Sequence, residues 1–200
     1  MMKILYSLLT LFMLGACSLE ENIESTEKES LKIDDIEIPN TIFISEKSNS
    51  VIEIDEMKQG IKVYLDSSEE LYKAVDPFQE SIYEGHELSS SDLDKFNKIN
   101  TLVHENDENF SNFISNNTLP EGYKEESLRI SQYISSSNQY LYELDEILDG
   151  LVNKLSEGKV PTKEIDLVFG KNDIVNGREQ KKIEQFLDKE DIQTKAFGRK

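Results

Sequence analysis

The chain is poor in the residues that brace or activate small domains. Its 200 residues include one cysteine, two histidines and no tryptophan. A lone cysteine cannot form a disulfide within the chain, so packing has to stabilise the fold. The sequence also has no paired-cysteine metal motif, glycine-rich phosphate loop or nucleophile elbow. We therefore predict no catalytic residue, no metal site and no cofactor, in a protein that is not an enzyme.

Basic residues are also few. Lysine and arginine number 22 against 40 aspartates and glutamates, which gives a formal net charge of −18. Such a surface repels polyanions, so we predict no nucleic-acid partner. The C-terminal residues 178–200 differ, with seven basic and five acidic side chains. We expect this end to dock on the acidic remainder of the chain, the alternative being polyanions of a cell wall.

Long hydrophobic runs are scarce as well. The main apolar run covers residues 4–13, directly after Lys3. A helix that spans a membrane needs about 20 apolar residues, and this run is much shorter. A basic residue followed by a short apolar run is typical of a signal peptide. We therefore predict a signal peptide at residues 1–16.

The residues after this run resemble the lipobox of bacterial lipoproteins. They are Leu14, Gly15, Ala16 and Cys17, with a branched residue three positions before the cysteine and small residues beside it. The resemblance implies cleavage before Cys17 and a diacylglycerol on its sulfur, often with a second, amide-linked chain. Two such chains anchor a protein stably. We expect attachment to the cell membrane, on its extracytoplasmic face; the alternative is a secreted protein with a free thiol.

The mature chain then begins with an acidic linker. Residues 18–29 are rich in glutamate and have almost no apolar side chains, a composition that does not fold alone. Between residues 31 and 44 the apolar residues alternate in part, which fits either a short extended segment or a continued linker. We assign residues 17–48 to the lipidated cysteine and its linker.

Three long helices are predicted next, because apolar residues recur every three or four positions. The first covers about 50–85, with Ser50 as its N-cap and Pro77 as a kink near its end. The second runs from 89–91 to about 116, and the third covers about 121–155. Amphipathic helices joined by short turns bury their apolar stripes against one another. The predicted fold is all-α, an antiparallel three-helix bundle at residues 49–157.

Residues 158–200 are expected to form a C-terminal helical extension with a basic tail. It contains a short element at 162–169 and a helix at about 178–187 that is capped by Gly177. One face of that helix carries Ile183, Phe186 and Leu187. A C-terminal strand around 192–197 also fits the pattern.

Polar residues interrupt the apolar stripe of the second helix at Asn106 and Asp107. One interpretation is packing, in which a polar residue in the core selects a single helix register. Another is a groove in which both side chains bind a ligand or partner. A third is a metal held by His104 and Glu108, although two residues do not make a metal site.

The same segment resembles the signature of the NDxxF motif lipoproteins, small surface lipoproteins of Gram-positive bacteria. It reads Asn106-Asp107-Glu108-Asn109-Phe110, and the lipobox and the ending at 176–187 are similar to that family as well. The resemblance implies a surface location and names Asn106, Asp107 and Phe110 as motif positions. It implies no activity.

A set of tyrosines allows two interpretations, packing at the core boundary or stacking on sugars. They are Tyr123, Tyr133, Tyr140 and Tyr142. With no catalytic constellation, the preferred hypothesis is a membrane-anchored interaction module that binds the wall or an envelope protein. The alternative is a lipoprotein that binds a small ligand or cation near Asn106 and Asp107, which requires a cavity there. If Asp107 serves packing alone, Asp107→Leu is expected to raise or preserve the melting temperature while making the oligomeric state less uniform.

Overall fold

The fold was obtained as a computed structural model that describes residues 33–84, 86, 88–156 and 174–199. All of these belong to one unit, residues 31–200. The described residues form an all-α protein, as predicted, and contain no β-strand beyond an isolated bridge between Val51 and Thr118. Their α-helices are α1 (Ile54–Tyr83), α2 (Ser90–Ser115), α3 (Tyr123–Ser156) and α4 (Gly177–Lys189).

Helix α1 begins at Ile54, so the prediction of Ser50 as its N-cap is wrong. The backbone N–H of Ser50 donates to Oδ1 of Asn117 at 2.9 Å, and that of Ile52 donates to the Thr118 carbonyl at 3.0 Å. These bonds hold residues 50–52 extended beside the turn that follows α2. The helix then continues through Pro77 to Tyr83.

Helix α2 has the start predicted for it. Ser89 is the N-cap, its hydroxyl accepts from the Asp92 N–H, and the Asp92 carboxylate accepts from the Ser89 N–H. This capping box satisfies two backbone donors that the helix itself leaves unpaired. After Ser115 the chain turns through Gly122, whose φ of 82° favours glycine, and α3 begins at Tyr123.

The C-terminal region differs from its prediction in two respects. The N-cap of α4 is Asn176 rather than Gly177, because the Asn176 carboxamide accepts from the N–H groups of Arg178 and Glu179. The strand expected around 192–197 is absent from the described residues, which place a 3₁₀ turn at Ala196–Gly198. The burial of Ile183, Phe186 and Leu187 is confirmed. The element expected at 162–169 lies outside the described residues.

The helices pack in sequence order, α1 on α2, α2 on α3 and α3 on α4, and α1 also contacts α3. Two clusters of buried side chains lie between them. One surrounds Tyr64 and Phe110 and includes the apolar face of α4. The other surrounds Phe78 and Ile99, toward the other end of α1. Each large apolar side chain buried in this way stabilises the fold by about 1.5–3 kcal/mol.

Residues 36–50, which we call the strap, run without helix before α1. The strap is part of the packed protein, since Ile36 and Phe43 are 8% and 4% exposed and each joins one of the two clusters. These residues contain no helix and no strand, and their burial shows a packed segment where the sequence also allowed a continued linker. The packed part of the chain therefore starts before the expected boundary at residue 49.

Candidate functional site

Two asparagines of α2 hold the strap at Phe43. Oδ1 of Asn106 accepts from the Phe43 N–H at 2.7 Å, and Nδ2 of Asn109 donates to the Phe43 carbonyl at 3.0 Å. Residues three apart share a helix face, so one face of α2 satisfies both backbone groups of Phe43. The two side chains supply the acceptor and the donor that a neighbouring β-strand would otherwise supply to the Phe43 backbone.

Asn106 also connects this clamp to α1. Its Nδ2 donates to the Ser68 hydroxyl at 2.9 Å and to the Tyr64 carbonyl at 3.4 Å. The residue is 1% exposed. A buried carboxamide that makes these bonds escapes the desolvation cost of an unpaired polar group. Asn106 therefore ties the strap, α1 and α2 together, which is the behaviour expected from the packing interpretation.

Phe110 completes the clamp through its ring. It stacks on Tyr64 with centroids 4.1 Å apart and planes at 5°, and meets Phe43 edge-on at 5.2 Å and 88°. Both arrangements are favourable for aromatic pairs. Phe110 is fully buried. The motif phenylalanine is thus a core residue that seats the strap ring against α1.

Asp107 points elsewhere, toward α3. Its Oδ1 accepts from the Tyr64 hydroxyl at 2.7 Å, and its Oδ2 accepts from Nδ2 of Asn138 at 2.9 Å. Burial raises the pKa of Asp107, although both hydrogen bonds and the nearby His104 act in the opposite direction. Burial, together with the Asp107 carboxylate, also holds the pKa of Tyr64 well above its usual range.

A groove of about 430 Å³ opens beside Asp107, between α2 and α3. Its described lining consists of polar side chains: His104, Asp107, Glu108, Ser111, Ser131, Ser135, Asn138 and Gln139. These side chains offer carboxylates, hydroxyls and amides, with no lysine or arginine among them. The groove can therefore accept hydrogen bonds from a cationic or neutral polar group, and it disfavours an anion.

A second groove, of about 360 Å³, lies at Arg129, between α3 and the start of α4. The guanidinium there pairs with Glu125, Glu126 and Glu179 at 2.8–3.1 Å. Its donors are engaged by carboxylates of the chain itself, and the Glu179 pair joins α3 to α4. We assign this cluster to the fold.

The described residues add no third ligand to the pair His104 and Glu108 that the sequence offered for a metal. Both residues line the groove. In the part of the chain that the structure describes, no three His, Cys, Asp or Glu side chains form a group that could hold a metal ion. Within the same residues, none of the helices combines the length and apolar content that crossing a membrane requires.

The remaining predicted residues fall into two groups. Tyr123 and Tyr133 are buried in the core, which supports packing for these two side chains. Tyr140 and Tyr142 belong to α3, but their side chains are outside the described set, and so is the lipobox: Leu14, Gly15, Ala16 and Cys17.

Sequence reasoning missed the α3 wall of the groove. Ser131, Ser135 and Asn138 follow one another by four and three positions, which places them on one helix face. This polar stripe is the signal that could have revealed the wall. The stripe forms part of a groove only because Asp107 of α2 lies opposite it. Residue spacing along α3 alone does not show which residue of another helix lies opposite.

No family model matches the chain, and no curated protein or solved structure matches it either. The resemblance to the NDxxF motif lipoproteins therefore stays a prediction from the lipobox, the motif and the C-terminal ending. Functional inference has to start from the chemistry of the groove at Asp107.

Proposed function

We propose that this chain is a lipid-anchored, non-catalytic binding protein of the cell envelope whose site for a small polar ligand is the groove at Asp107. The observation that carries the proposal is this polar cavity of about 430 Å³, in which a half-buried carboxylate faces α3. Small-ligand sites are concave, of a few hundred Å³ or more, and contain a few well-placed polar groups. The alternative function inferred from the sequence needed a cavity at this position.

The proposed location rests on the N-terminal sequence. A signal peptide at 1–16 and a lipobox ending at Cys17 support export, lipidation and retention on the extracytoplasmic face of the membrane. The acidic residues 18–29 would then serve as the tether between lipid and protein. Membership of the NDxxF motif lipoproteins is part of the same proposal.

We infer that α1, α2 and α3 form an antiparallel bundle with α4 added against α3. The short connections between successive long helices support this arrangement, as do the contacts of α1 with α2 and of α2 with α3. In such a bundle the groove lies along the seam between α2 and α3, where both helices present side chains to one ligand.

Non-catalytic binding is supported by how Asp107 is held. Its two oxygens accept hydrogen bonds from Tyr64 and Asn138, groups that position a carboxylate and do not need it as a base. A carboxylate fixed from both sides is suited to orienting a ligand.

The test is a thermal-shift screen of the purified protein against small polar compounds of the cell envelope, repeated with two matched variants. Asp107→Asn removes the groove carboxylate and keeps its shape. Glu105→Gln makes the same charge change on the exposed side of α2, outside the groove lining. A ligand that uses the groove raises the melting temperature of wild type and Glu105→Gln, and does so less for Asp107→Asn. Stabilisation that Asp107→Asn leaves unchanged would contradict the proposal.

A second candidate function is binding of an envelope protein or the wall. It is favoured by exposed apolar side chains in the segment that leads into α1. Ile44, Val51 and Ile54 are 70%, 71% and 51% exposed. A pull-down with purified wall sacculi and solubilised membrane proteins tests it. Binding to these exposed apolar side chains predicts that wild type and Asp107→Asn are retained in high salt and that Val51→Ser is not retained.

A further inference from the structure

Among the described residues, two hydrogen bonds to Asp107 leave acceptor sites of its carboxylate open to the groove. An ionised carboxylate offers about four acceptor sites, and Tyr64 and Asn138 use one on each oxygen of Asp107. Both donors are neutral groups. Among the described residues no lysine or arginine forms an ion pair with this carboxylate, although such pairs are frequent on the surface of the same protein. A partly desolvated carboxylate with neutral partners gains most from an additional cationic donor.

The walls around Asp107 suit hydroxyl groups. Ser111 contributes from α2, and Ser131 and Ser135 contribute from α3. Each serine hydroxyl oxygen can accept two hydrogen bonds. The Ser135 hydroxyl already donates to the Gln132 carbonyl at 3.4 Å, and Ser131 hydrogen-bonds with Tyr64, so both oxygens remain suited to accepting. A ligand that carries several hydroxyls can therefore donate to the serines along the groove.

Charge narrows the ligand class further. The described lining contains two carboxylates, Asp107 and the exposed Glu108, one imidazole, His104, and no lysine or arginine. A phosphate or carboxylate ligand would be repelled by both carboxylates. A hard metal ion prefers a shell of six or more oxygens, whereas Asn138 presents its NH₂ group to Asp107. An organic ammonium donates N–H groups and matches the acceptors already present.

We propose that the groove binds a small polyhydroxylated amine, such as an amino sugar or amino polyol, with its ammonium group donating to Asp107 and its hydroxyls meeting the serines of α2 and α3. This inference rests on the proposed function and specifies its ligand class. The raised pKa of Asp107 agrees with a carboxylate whose burial outweighs its two hydrogen bonds and the nearby His104.

The experiment compares two probes that differ in one group. Glucamine, 1-amino-1-deoxy-D-glucitol, carries an ammonium at neutral pH, and D-glucitol has a hydroxyl in its place. Each is titrated into the isotopically labelled full-length protein at pH 7, and affinity is read from the amide shifts of Ser111, Ser131 and Ser135. We expect glucamine to bind at least about tenfold more tightly than glucitol, the factor that corresponds to about 1.4 kcal/mol.

Two variants locate the effect. Asp107→Asn should reduce glucamine affinity about tenfold, to the level of glucitol, while Glu105→Gln should leave the preference for the amine unchanged. The wild-type comparison of the two probes needs no variant, so the inference can be tested even if Asp107→Asn alters folding.

The outcomes separate the two levels of the proposal. Equal binding of glucamine and glucitol in the groove would overturn the amine inference and leave the polar-ligand function standing. Binding of neither probe would also overturn the amine inference, and the compound screen would then decide the proposed function. Glucamine shifts that fall outside the groove or that persist in Asp107→Asn would overturn the assignment of the ammonium to Asp107.

Discussion

Asn106 and Asp107 are adjacent in sequence but face different surfaces, because successive residues of an α-helix point about 100° apart. Asn109 and Phe110 follow Asn106 by three and four positions and share its face. All three contact Phe43 of the strap. Asp107 points away from that face and reaches the groove. The motif thus combines a clamp for the strap with one carboxylate for the groove.

Replacing Asn106 by alanine should destabilise the protein by about 1–3 kcal/mol, because the buried Phe43 N–H loses its acceptor. Chemical denaturation measures the loss. Hydrogen exchange of the Phe43 amide should also accelerate more than that of buried amides in α1.

Asn112→Ala is the matched control, since Asn112 is exposed on the same helix. It should change the free energy of unfolding by less than about 0.5 kcal/mol. Equal losses of unfolding free energy in the two variants would show that replacing an asparagine in α2 has the same cost at either position. The clamp would then contribute nothing.

Replacing Asp107 by leucine should lower the free energy of unfolding by about 1–3 kcal/mol, because the buried Tyr64 hydroxyl loses its acceptor. The sequence alone predicted a raised or preserved melting temperature for a carboxylate that serves packing, whereas the hydrogen bond from Tyr64 predicts a loss. Asp107→Asn keeps an acceptor for Tyr64 and should cost less than Asp107→Leu. If leucine were tolerated without loss, the Tyr64 bond would contribute nothing.

The same carboxyl makes stability depend on pH. Burial raises its folded-state pKa above the ordinary 3.8, so ionisation weakens the fold as the pH rises from 3.8 through the raised value. Asp107→Asn cannot ionise. The stability of this variant relative to wild type should therefore increase over that interval and then level off. Denaturation at a series of pH values measures it, and a difference that stays constant with pH would argue against the buried charge.

The ends of the helices show how tertiary contacts compete with local signals. Ser50 and Glu53 have the spacing of a capping box. The N–H groups of Ser50 and Ile52 instead donate to Asn117 and Thr118, so the helix does not start at Ser50. Gly177 is preceded by Asn176, whose carboxamide caps two N–H groups that a glycine has no side chain to reach. The start of α2 had no such competitor, and its predicted position at residues 89–91 is confirmed by the N-cap Ser89.

The C-terminal segment docks on α1 through two carboxylates, as the charge pattern predicted. Asp66 accepts from the Thr194 hydroxyl and the Lys195 N–H at 2.7 Å each, while the Lys195 ammonium pairs with Glu70 at 2.7 Å. The bond to Asp66 uses the Lys195 N–H, a backbone donor that a strand could have used for pairing. A 3₁₀ turn follows where the sequence allowed a strand.

Asp66→Asn should destabilise the protein at neutral pH by about 1 kcal/mol, because its acceptor is then neutral and its hydrogen bonds are no longer charge-assisted. Burial alone would raise the pKa of Asp66, but the bonds from Lys62, Lys195 and Thr194 outweigh burial and lower it. A lowered folded-state pKa contributes stability above the ordinary 3.8 that is lost as the pH falls through the lowered value.

The advantage of wild type over Asp66→Asn should therefore be constant near neutrality and shrink below pH 3.8. Asp76→Asn, an exposed charge change on α1, serves as the control. An equal loss in both variants would attribute the effect to net charge and not to docking of the C-terminal segment.

As a whole, the described protein joins an acidic helical body to a strap that leads back toward the proposed tether. The strap is held on α2 by polar side chains and in the core by Phe43. Any force transmitted from a lipid anchor would therefore reach the packed interior before it reached α1. The groove at Asp107 lies on a different face of α2 from this attachment, between α2 and α3.

Replacing Cys17 by alanine should move the protein from the membrane fraction to the soluble fraction, because the acyl chains that we expect at this position would be missing. Fractionation followed by mass spectrometry of the mature N-terminus measures both location and lipid. Ser18→Ala, next to the cysteine, is the control and should remain membrane-bound. A Cys17→Ala protein that stayed with the membrane would contradict the lipid anchor.

Local patterns were enough to predict the all-α class, the approximate extents of α2 and α3 and the buried face of α4, because helix periodicity and caps act over a few residues. They also singled out Asn106, Asp107 and Phe110. The division of roles among these three depended on Phe43, Tyr64 and Asn138, which lie 31–63 residues from the motif asparagine and aspartate they contact. Hydrogen bonds over such separations form only when helices pack, so the clamp and the groove were decided by the tertiary structure.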